Sequence, residues 1–493
     1  MTAAETTSGD RTLLRGTLAG FCALGLFWGA WAAVLPSVQS ATGASNGTLG
    51  VALFFVAVGS LPAMLFLAGP AVDRFGSRAV SLSCAVFAAV TVVPGFATSV
   101  PALAGALVLT GAASGILDVG INANAARIET RSGRRVMPLA HGLYSTGVLV
   151  GAVGAGLARS AGLGREPILL AVAVLIALTA LLLRSDDPPP AVSRPRRRVR
   201  LEHGLLVLGL VGAAAFVVEG GTESWSALFL ERQLNADPAV SGLGPGVFGA
   251  AMAAGRFFGQ ATRLGDRSLL AGGALLAAGG CTLVAVSPAA PLALLGFAVA
   301  GAGISLNAPI VFGLAGRGRV DAAGAIATVT TIGYLGLLIG PPLVGGIAQA
   351  GSLRISFAAL AAIAAIVGLA AGRLPHTHAM SESFAQISRD ALREKIARGD
   401  DFVLVDALSP ISFAMSHLPG AINLTPGWVD DRARRRIPGL DTEVVVYCES
   451  SDCDSSVIVA NRLLELGYRN VRHYLEGKRD WTEAGLPLED GRG

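Results

Sequence analysis

The segment GPAVDRFGSR, from Gly69 to Arg78, stands between two long runs that contain no charged side chain. Before its aspartate, the 57 residues between Arg15 and Asp73 carry none, and after it the 39 between Arg78 and Asp118 carry none. A helix that crosses a bilayer needs about 20 apolar residues. Each run therefore holds two helices, the second of the later pair spilling slightly past Asp118. The charged segment is then a short polar loop at a membrane surface.

The same rhythm continues outward. There are 23 uncharged residues between Arg135 and Arg159 and 17 between Glu166 and Arg184, which brings six spans before DDPPPAVSRPRRRVRLE, residues 186–202. That Pro- and Arg-rich stretch reads as a linker. Beyond it, spans are expected near 204–230 and 240–263, two more within the 49 uncharged residues 268–316, then at 322–349 and 355–372. The expected fold is an all-α bundle of twelve membrane helices over 1–373, with halves 11–185 and 203–373, a second linker at 374–380, and a separate domain at 381–493.

Composition agrees with two solvents. The chain is 52% hydrophobic with net charge +4, and its mean hydropathy is +0.60. That net charge is +9 on residues 1–380, from 24 Arg against 15 Asp and Glu, and −5 on the rest, from 14 basic against 19 acidic residues. The arginines collect in alternate loops, 18 on the side of the 186–202 linker and 4 on the other. By the positive-inside rule both termini, the linker and the tail are expected in the cytoplasm, in a multi-pass protein of the cell membrane. Nucleic-acid binding finds no support, because the basic charge is spent on topology. The first span reads as a retained signal anchor. Cys22, Cys84 and Cys281 lie in apolar stretches as small hydrophobes, and no secreted disulfide framework is suggested.

Six helices, a cytoplasmic linker and six more resemble the major facilitator superfamily, and GPAVDRFGSR is similar to that family's G-x-x-x-D-R-x-G-x-R loop between helices 2 and 3. The resemblance covers residues 10–373 and extends to LDVGINANAARIE (Leu117–Glu129), MPLAHGLYSTG (Met137–Gly147), EGGTESWSALFL (Glu219–Leu230) and IGYLGLLIGPPLVG (Ile332–Gly345). It implies a conformational gate built of Gly69, Asp73, Arg74, Gly76 and Arg78. In that gate Gly69 is expected to allow close helix approach, Gly76 to make the turn, and the Asp and Arg side chains to pair across helix ends. In the second half the corresponding loop, GQATRLGDR, is a degraded copy. The branch it resembles is sugar-permease-like or of unknown substrate.

Transporters of this kind bind solute near the midplane, so the informative residues are polar ones that lipid would penalise. Asp118 and Asn122 share a helix face. A carboxyl there costs about 2.5–3.5 kcal/mol unless it meets protein or a cavity. Glu219 and Glu223 repeat the i, i+4 spacing, with their side chains about 6 Å apart. Two close carboxylates favour retaining a proton on one of them, as a proton carrier requires. Asn307 and Tyr334 complete the expected substrate and proton site. Arg256 is a candidate partner for Asp118, and His141, Tyr144, Trp28 and Trp31 supply further hydrogen bonds or stacking surface.

From residue 381 the composition becomes that of an ordinary α/β domain. A helix over 388–398 precedes strands FVLVDA (402–407), AINL, EVVVYC (443–448) and NVRHYL, with a helix at 455–467 and another around Trp481. Alternating elements imply a parallel sheet. Asp406, HLPGAIN (His417–Asn423), Cys448 and EGKRDWTEAGLPLE (Glu476–Glu489) resemble rhodanese, the sulfurtransferase domain. A cysteine at a strand end before a helix N-terminus is placed for a stabilised thiolate.

The loop CESSDCDSS carries Cys453 where many rhodaneses have arginine, and Glu449, Asp452 and Asp454 make it acidic. Thiosulfate is therefore expected to be a poor donor and a persulfide donor protein a better one. The expected chemistry is a persulfide on Cys448 that Cys453 attacks. No cofactor and no metal is expected, since Cys448, Cys453, His417 and His473 match no common zinc spacing. The sequence thus points to a secondary transporter of a small solute, coupled to protons, whose tail processes or senses a sulfur compound. The alternative is a solute or drug exporter whose tail is a redox sensor or inactive.

Overall fold

The computed structural model describes residues 8–75, 78–132, 136–183, 203–259, 266–316, 322–371, 385–426, 428–450, 453 and 455–490. Both expected linkers, Gly76, Asp452 and Asp454 lie outside the described residues, as does the side chain of Asp73. Two compact units form, one from 1–312 with 328–373 and one from 313–327 with 374–493.

The first half of the helical bundle comprises α1 (Ser8–Thr42), α2 (Asn46–Pro62), α3 (Ala68–Phe75), α4 (Ala79–Val90), α5 (Val100–Ser132), α6 (Met137–Ser160) and α7 (Arg165–Leu182). The second half continues with α8 (His203–Leu228), α9 (Pro238–Ser241), α10 (Leu243–Gly259), α11 (Asp266–Val286), α12 (Ala290–Ile304), α13 (Asn307–Gly316), α14 (Ala322–Ala350) and α15 (Leu353–Ala371). π-helical turns at Ala63–Leu67 and Phe229–Gln233 extend α2 and α8. Every one of the twelve expected spans coincides with described helix. Ten of the helical segments are long and apolar enough to cross a bilayer. The other two positions are held by α6, which carries His141 and Arg159, and by the 17-residue α10.

Lipid selects the outward faces. On α7, Leu170, Val174, Leu178 and Leu181 are exposed while Leu169, Val172 and Ile176 are buried, so the apolar surface faces outward as well as inward. Lipid tails are as apolar as leucine, and helix association must come from close packing. It does so along α1 and α6. A Cβ on Gly29 would collide with the Val148 carbonyl and one on Gly151 with that of Leu26. Two G-x-x-x-G faces, Gly25 with Gly29 and Gly147 with Gly151, thus bring the backbones together.

In the second unit five strands, β1 (Ala385–Gln386), β2 (Val403–Asp406), β3 (Ile422–Asn423), β4 (Glu443–Tyr447) and β5 (Asn470–Tyr474), form one sheet. All pairs are parallel, in the order β1-β5-β4-β2-β3. Helices α16 (Arg389–Arg398), α17 (Pro410–Met415), α18 (Val429–Arg436), α19 (Ser455–Glu465) and α20 (Gly477–Glu483) flank it. β4 is buried on both faces, as a parallel central strand must be. Val444 and Val446 pack with Val459 and Leu463, whereas Val445 and Tyr447 pack with Leu392 and Trp481. β1, α17 and α18 are additions to the expected set.

Candidate functional site

The expected midplane residues converge. Asn122 Nδ2 donates to both the carbonyl and Oδ1 of Asp118, each at 2.9 Å. On α8, Glu219 lies 3.7 Å from the Arg256 guanidinium, so Arg256 pairs with Glu219 rather than with Asp118. Arg256 Nε also donates to the Ser305 carbonyl at 3.2 Å. That carbonyl sits where α12 stops and α13 begins, a break that leaves backbone oxygens without ladder partners. Tyr144 of α6 lies within electrostatic reach of Glu223, Asp118, Glu219 and Arg256, and Tyr334 of α14 within reach of Asp118 and Glu219.

Three carboxyls, one guanidinium and two phenols from both halves thus share one region. The side chains remain partly exposed there, 30% for Arg256 and 19% for Glu219. Asn307 is placed differently. It is buried against Gly273 of α11, and neither amide atom has a hydrogen-bond partner among the described residues.

A second polar centre, which sequence reasoning passed over, closes the end of the bundle away from the linker. Arg159 of α6 donates from Nη1 and Nη2 to the two carboxylate oxygens of Glu231, both at 2.9 Å. Its Nε reaches Ser37 at 2.8 Å and Nη1 the Ala33 carbonyl at 2.8 Å. Ser241 adds a hydrogen bond to Glu231 at 3.2 Å, and Arg232 donates to Ser40 and to the Pro36 carbonyl. The pair joins the two halves, as do glycines on either side. A Cβ on Gly345 of α14 would stand 2.5 Å from the Asn46 carbonyl, and one on Gly242 2.5 Å from that of Ala152. The available signal was an acidic residue, Glu231, at the arginine-poor end.

For the expected gate loop, the reason given for Gly69 does not hold. A Cβ there would meet no atom of the described residues within 4 Å, so no described neighbour requires glycine at this point. Arg74 lies over the Phe75 ring, 5.8 Å from its centroid, and Arg78 stands at the first position before α4 without a side-chain capping bond.

In the second unit, β4 delivers Cys448 to the loop before α19. Its sulfur lies 3.0 Å from Ser456 Oγ, which is in turn 2.8 Å from His473 Nε2. The sulfur also lies 2.9 Å from the Cys453 carbonyl, and the residue is 1% exposed. A thiol facing a carbonyl is placed as a donor. Cys453 is half-buried, and its carbonyl accepts from the Cys448 thiol.

The two thiols shift in opposite directions: the neighbouring Cys453 and burial push Cys448 well above the ordinary thiol range, and the neighbouring Cys448 lowers Cys453 against the opposing effect of burial. Burial lowers His473 to about 4, so its ring is neutral.

The loop holds no cation of its own, but one arrives from α20. Lys478, 8% exposed, pairs with Glu449 at 3.2 Å, donates from its backbone N–H to the Cys448 carbonyl at 2.9 Å, and reaches the Ser416 carbonyl at 3.3 Å. One of the three expected negative charges is therefore compensated. Gly477 precedes it at φ +69, and a Cβ there would strike the Cys448 carbonyl, so both conformation and space require glycine.

Comparison with known proteins agrees with both units. The family model of the Major Facilitator Superfamily matches residues 16–317 and 208–429, and that of the rhodanese-like domain matches 388–484. An uncharacterized MFS-type transporter of Yersinia pestis is 34% identical over 367 residues, 72% of this chain and 94% of that protein. A sulfurtransferase of Allochromatium vinosum is 30% identical over 103 residues, 21% of this chain and 92% of its own length. The crystal structure of a D-xylose-proton symporter shares the fold at 15% identity and a TM-score of 0.61, over 75% of this chain and 99% of that one. The chain is a multi-pass membrane transporter of the Major Facilitator Superfamily that also carries a rhodanese-like domain.

Proposed function

We propose that the transporter moves a small solute by exchange with protons held at Asp118, Glu219 and Glu223, and that the rhodanese-like domain handles the sulfur of that solute or of a product made from it. The observation that carries the reading is the meeting of these three carboxyls with one arginine, Arg256, between the two halves. One guanidinium cannot neutralise three carboxylates in a low dielectric, so protons must occupy the remainder. A solute that displaces Arg256 or opens the Asp118–Asn122 pair would change which carboxyl keeps its proton. That gives solute and proton a common set of contacts, which coupling requires.

The tail belongs in the cytoplasm on this reading, since the arginine-rich loops share the side of the linker and reducing conditions keep both thiols usable. A persulfide carried by a donor protein is the expected sulfur source. The test compares sulfur metabolites inside and outside cells with and without the protein, together with Asp118→Asn, Glu219→Gln and Glu223→Gln variants. The reading expects one solute to change distribution with the wild type and all three variants to weaken that effect. Wild-type distribution in all three would remove proton coupling through these residues. A reporter fused after Arg373 that works only outside the cytoplasm would overturn the orientation and the tail's chemistry together.

A further inference from the structure

We infer that the tail docks onto the anionic phospholipid headgroups of the membrane that holds the bundle, through the arginines of α18 and the groove beside them. This docking lies outside the proposed transport and sulfur chemistry and needs only that the tail be tied to the last span.

α18 reads VDDRARRR from Val429 to Arg436. Val429, Ala433 and Ile437 are buried in the core, and at 3.6 residues per turn this leaves Arg432, Arg434, Arg435 and Arg436 on the remaining faces. The last three are exposed, and none of the four forms an ion pair among the described residues. Other arginines of the tail are paired, Arg389 with Asp480, Arg462 with Asp430 of α18, and Arg472 with Glu443. The four stand within one helix about 12 Å long. They form a basic patch in a tail whose net charge is −5 and would be −9 without them. An anionic surface therefore repels the rest of the tail and attracts this helix.

The patch also offers apolar surface. An open groove of about 1180 Å³ is lined by Met415, His417, Arg432 and Arg436, together with Glu489 and Asp490. Met415 is 72% exposed, and Arg432 lies 3.6 Å over the Trp428 ring. Glu489 is engaged by the Gly420 N–H at 2.9 Å. A guanidinium stacked on an aromatic ring beside an exposed methionine suits a headgroup layer, which is charged at its surface and apolar beneath.

The tether selects lipid over other anions. α15 ends at Ala371 and β1 begins at Ala385, and the 13 residues between them can hold the tail no further than about 50 Å from the last span. Headgroups are then always present at high effective concentration. The bundle's own loops are a poor alternative, because those on the tail's proposed side carry 18 arginines and repel the patch. Val429 and Ala433 share a core with Cys448, so a docked α18 keeps the Cys448 loop at the membrane surface.

The experiment places the full-length chain in detergent, in nanodiscs of phosphatidylcholine, and in nanodiscs that also hold about one third phosphatidylglycerol. Modification of each arginine by phenylglyoxal is then followed by peptide mass spectrometry. Arg393 and Arg479, exposed and without an ion pair among the described residues, are internal controls. Docking should slow modification of Arg434, Arg435 and Arg436 at least about fivefold with phosphatidylglycerol, leave the controls unchanged, and disappear at about 0.5 M salt. Equal rates in the two nanodiscs would overturn the inference. Slowing already present in detergent would do so too, by assigning the patch to a protein surface, as would equal slowing of the controls. A variant combining Arg434→Gln, Arg435→Gln and Arg436→Gln leaves the buried face of α18 intact. At about fivefold per arginine it should weaken docking about a hundredfold, so that Arg432 reacts equally fast in both nanodiscs. Protection of Arg432 retained in this variant would overturn the role of the arginines. Both nanodisc leaflets carry the same lipid, so the result does not depend on which side the tail occupies, and its failure leaves the proposed transport and sulfur chemistry standing.

Discussion

Two arginines inside the helical bundle differ in what surrounds them. Arg159 is 7% exposed and uses four of its five N–H donors, on both oxygens of one carboxylate, a serine and a carbonyl at 2.8–2.9 Å. Arg256 is 30% exposed, makes one hydrogen bond to a carbonyl among the described residues, and stands 3.7 Å from Glu219 with Glu223 one turn further on. The first is one cation for one anion, with no proton or partner left to exchange. The second is one cation among several carboxyls, and its partner can change. On the proposed function they have opposite tasks: Arg159 and Glu231 join the two halves at the end away from the linker, while Arg256 and its carboxyls would respond to solute and proton.

The contrast breaks most visibly at Arg159. Arg159→Ala leaves Glu231 buried without its cation, which should destabilise the closed end by about 3–5 kcal/mol. Spin labels on the ends of α6 and α10 near Arg159 and Leu243 should then report a longer separation. An unchanged distance would reduce the pair to decoration.

A third solution to burial appears in the tail, where His473 is kept neutral. Burial lowers its folded value to about 4, below the ordinary imidazole value of about 6.5, so the unfolded chain binds the extra proton between those values. Stability contributed by the neutral ring is present above about 6.5 and lost as pH falls toward 4, on the order of 3 kcal/mol in all. Hydrogen exchange of the β4 and β5 amides in the intact chain should accelerate across that window. His473→Gln should flatten the dependence, and a profile unchanged by the substitution would mean that another group sets it.

A smaller effect sharpens the account of closure. Gly345→Ala would put a methyl group 2.5 Å from the Asn46 carbonyl, and overpacking of this kind costs about 1–3 kcal/mol. The same label pair should show a partial opening, smaller than that of Arg159→Ala. A shift as large as that of Arg159→Ala would mean that helix packing rather than the ion pair holds the end shut.

Most of this fold was legible because bilayer and sheet impose simple periods. Uncharged runs of known length located most spans, those near 204–230 and 240–263 being interrupted by Glu219, Glu223 and Arg256, and the strand EVVVYC with its helix placed Cys448 within one residue of the observed strand end. The midplane cluster was legible for the same reason, since Asp118, Glu219 and Glu223 are conspicuous where charge is rare. What escaped depends on relations between distant segments. Glu231 looks like a loop residue until Arg159, 72 residues earlier, is seen to fill both its oxygens. Lys478 lies 29 residues after Glu449 and reaches it only because the β5–α20 turn at Gly477 folds over the loop. The surroundings of Cys448 were hidden too, because side-chain identity does not encode that the carbonyls of Ser450 and Cys453 face its sulfur. The expected reason for Gly69 failed because a glycine in a motif does not reveal whether a neighbour stands over it.

Coupling of solute to protons by the under-supplied cluster around Arg256, as proposed, is tested most directly by metabolite distribution across the membrane of cells that carry the wild type or a variant combining Asp118→Asn, Glu219→Gln and Glu223→Gln. The account predicts a solute whose inside-to-outside ratio shifts with the wild type, follows an imposed pH gradient, and returns to the background ratio with the triple variant. A ratio that follows the pH gradient equally well in the triple variant would contradict it.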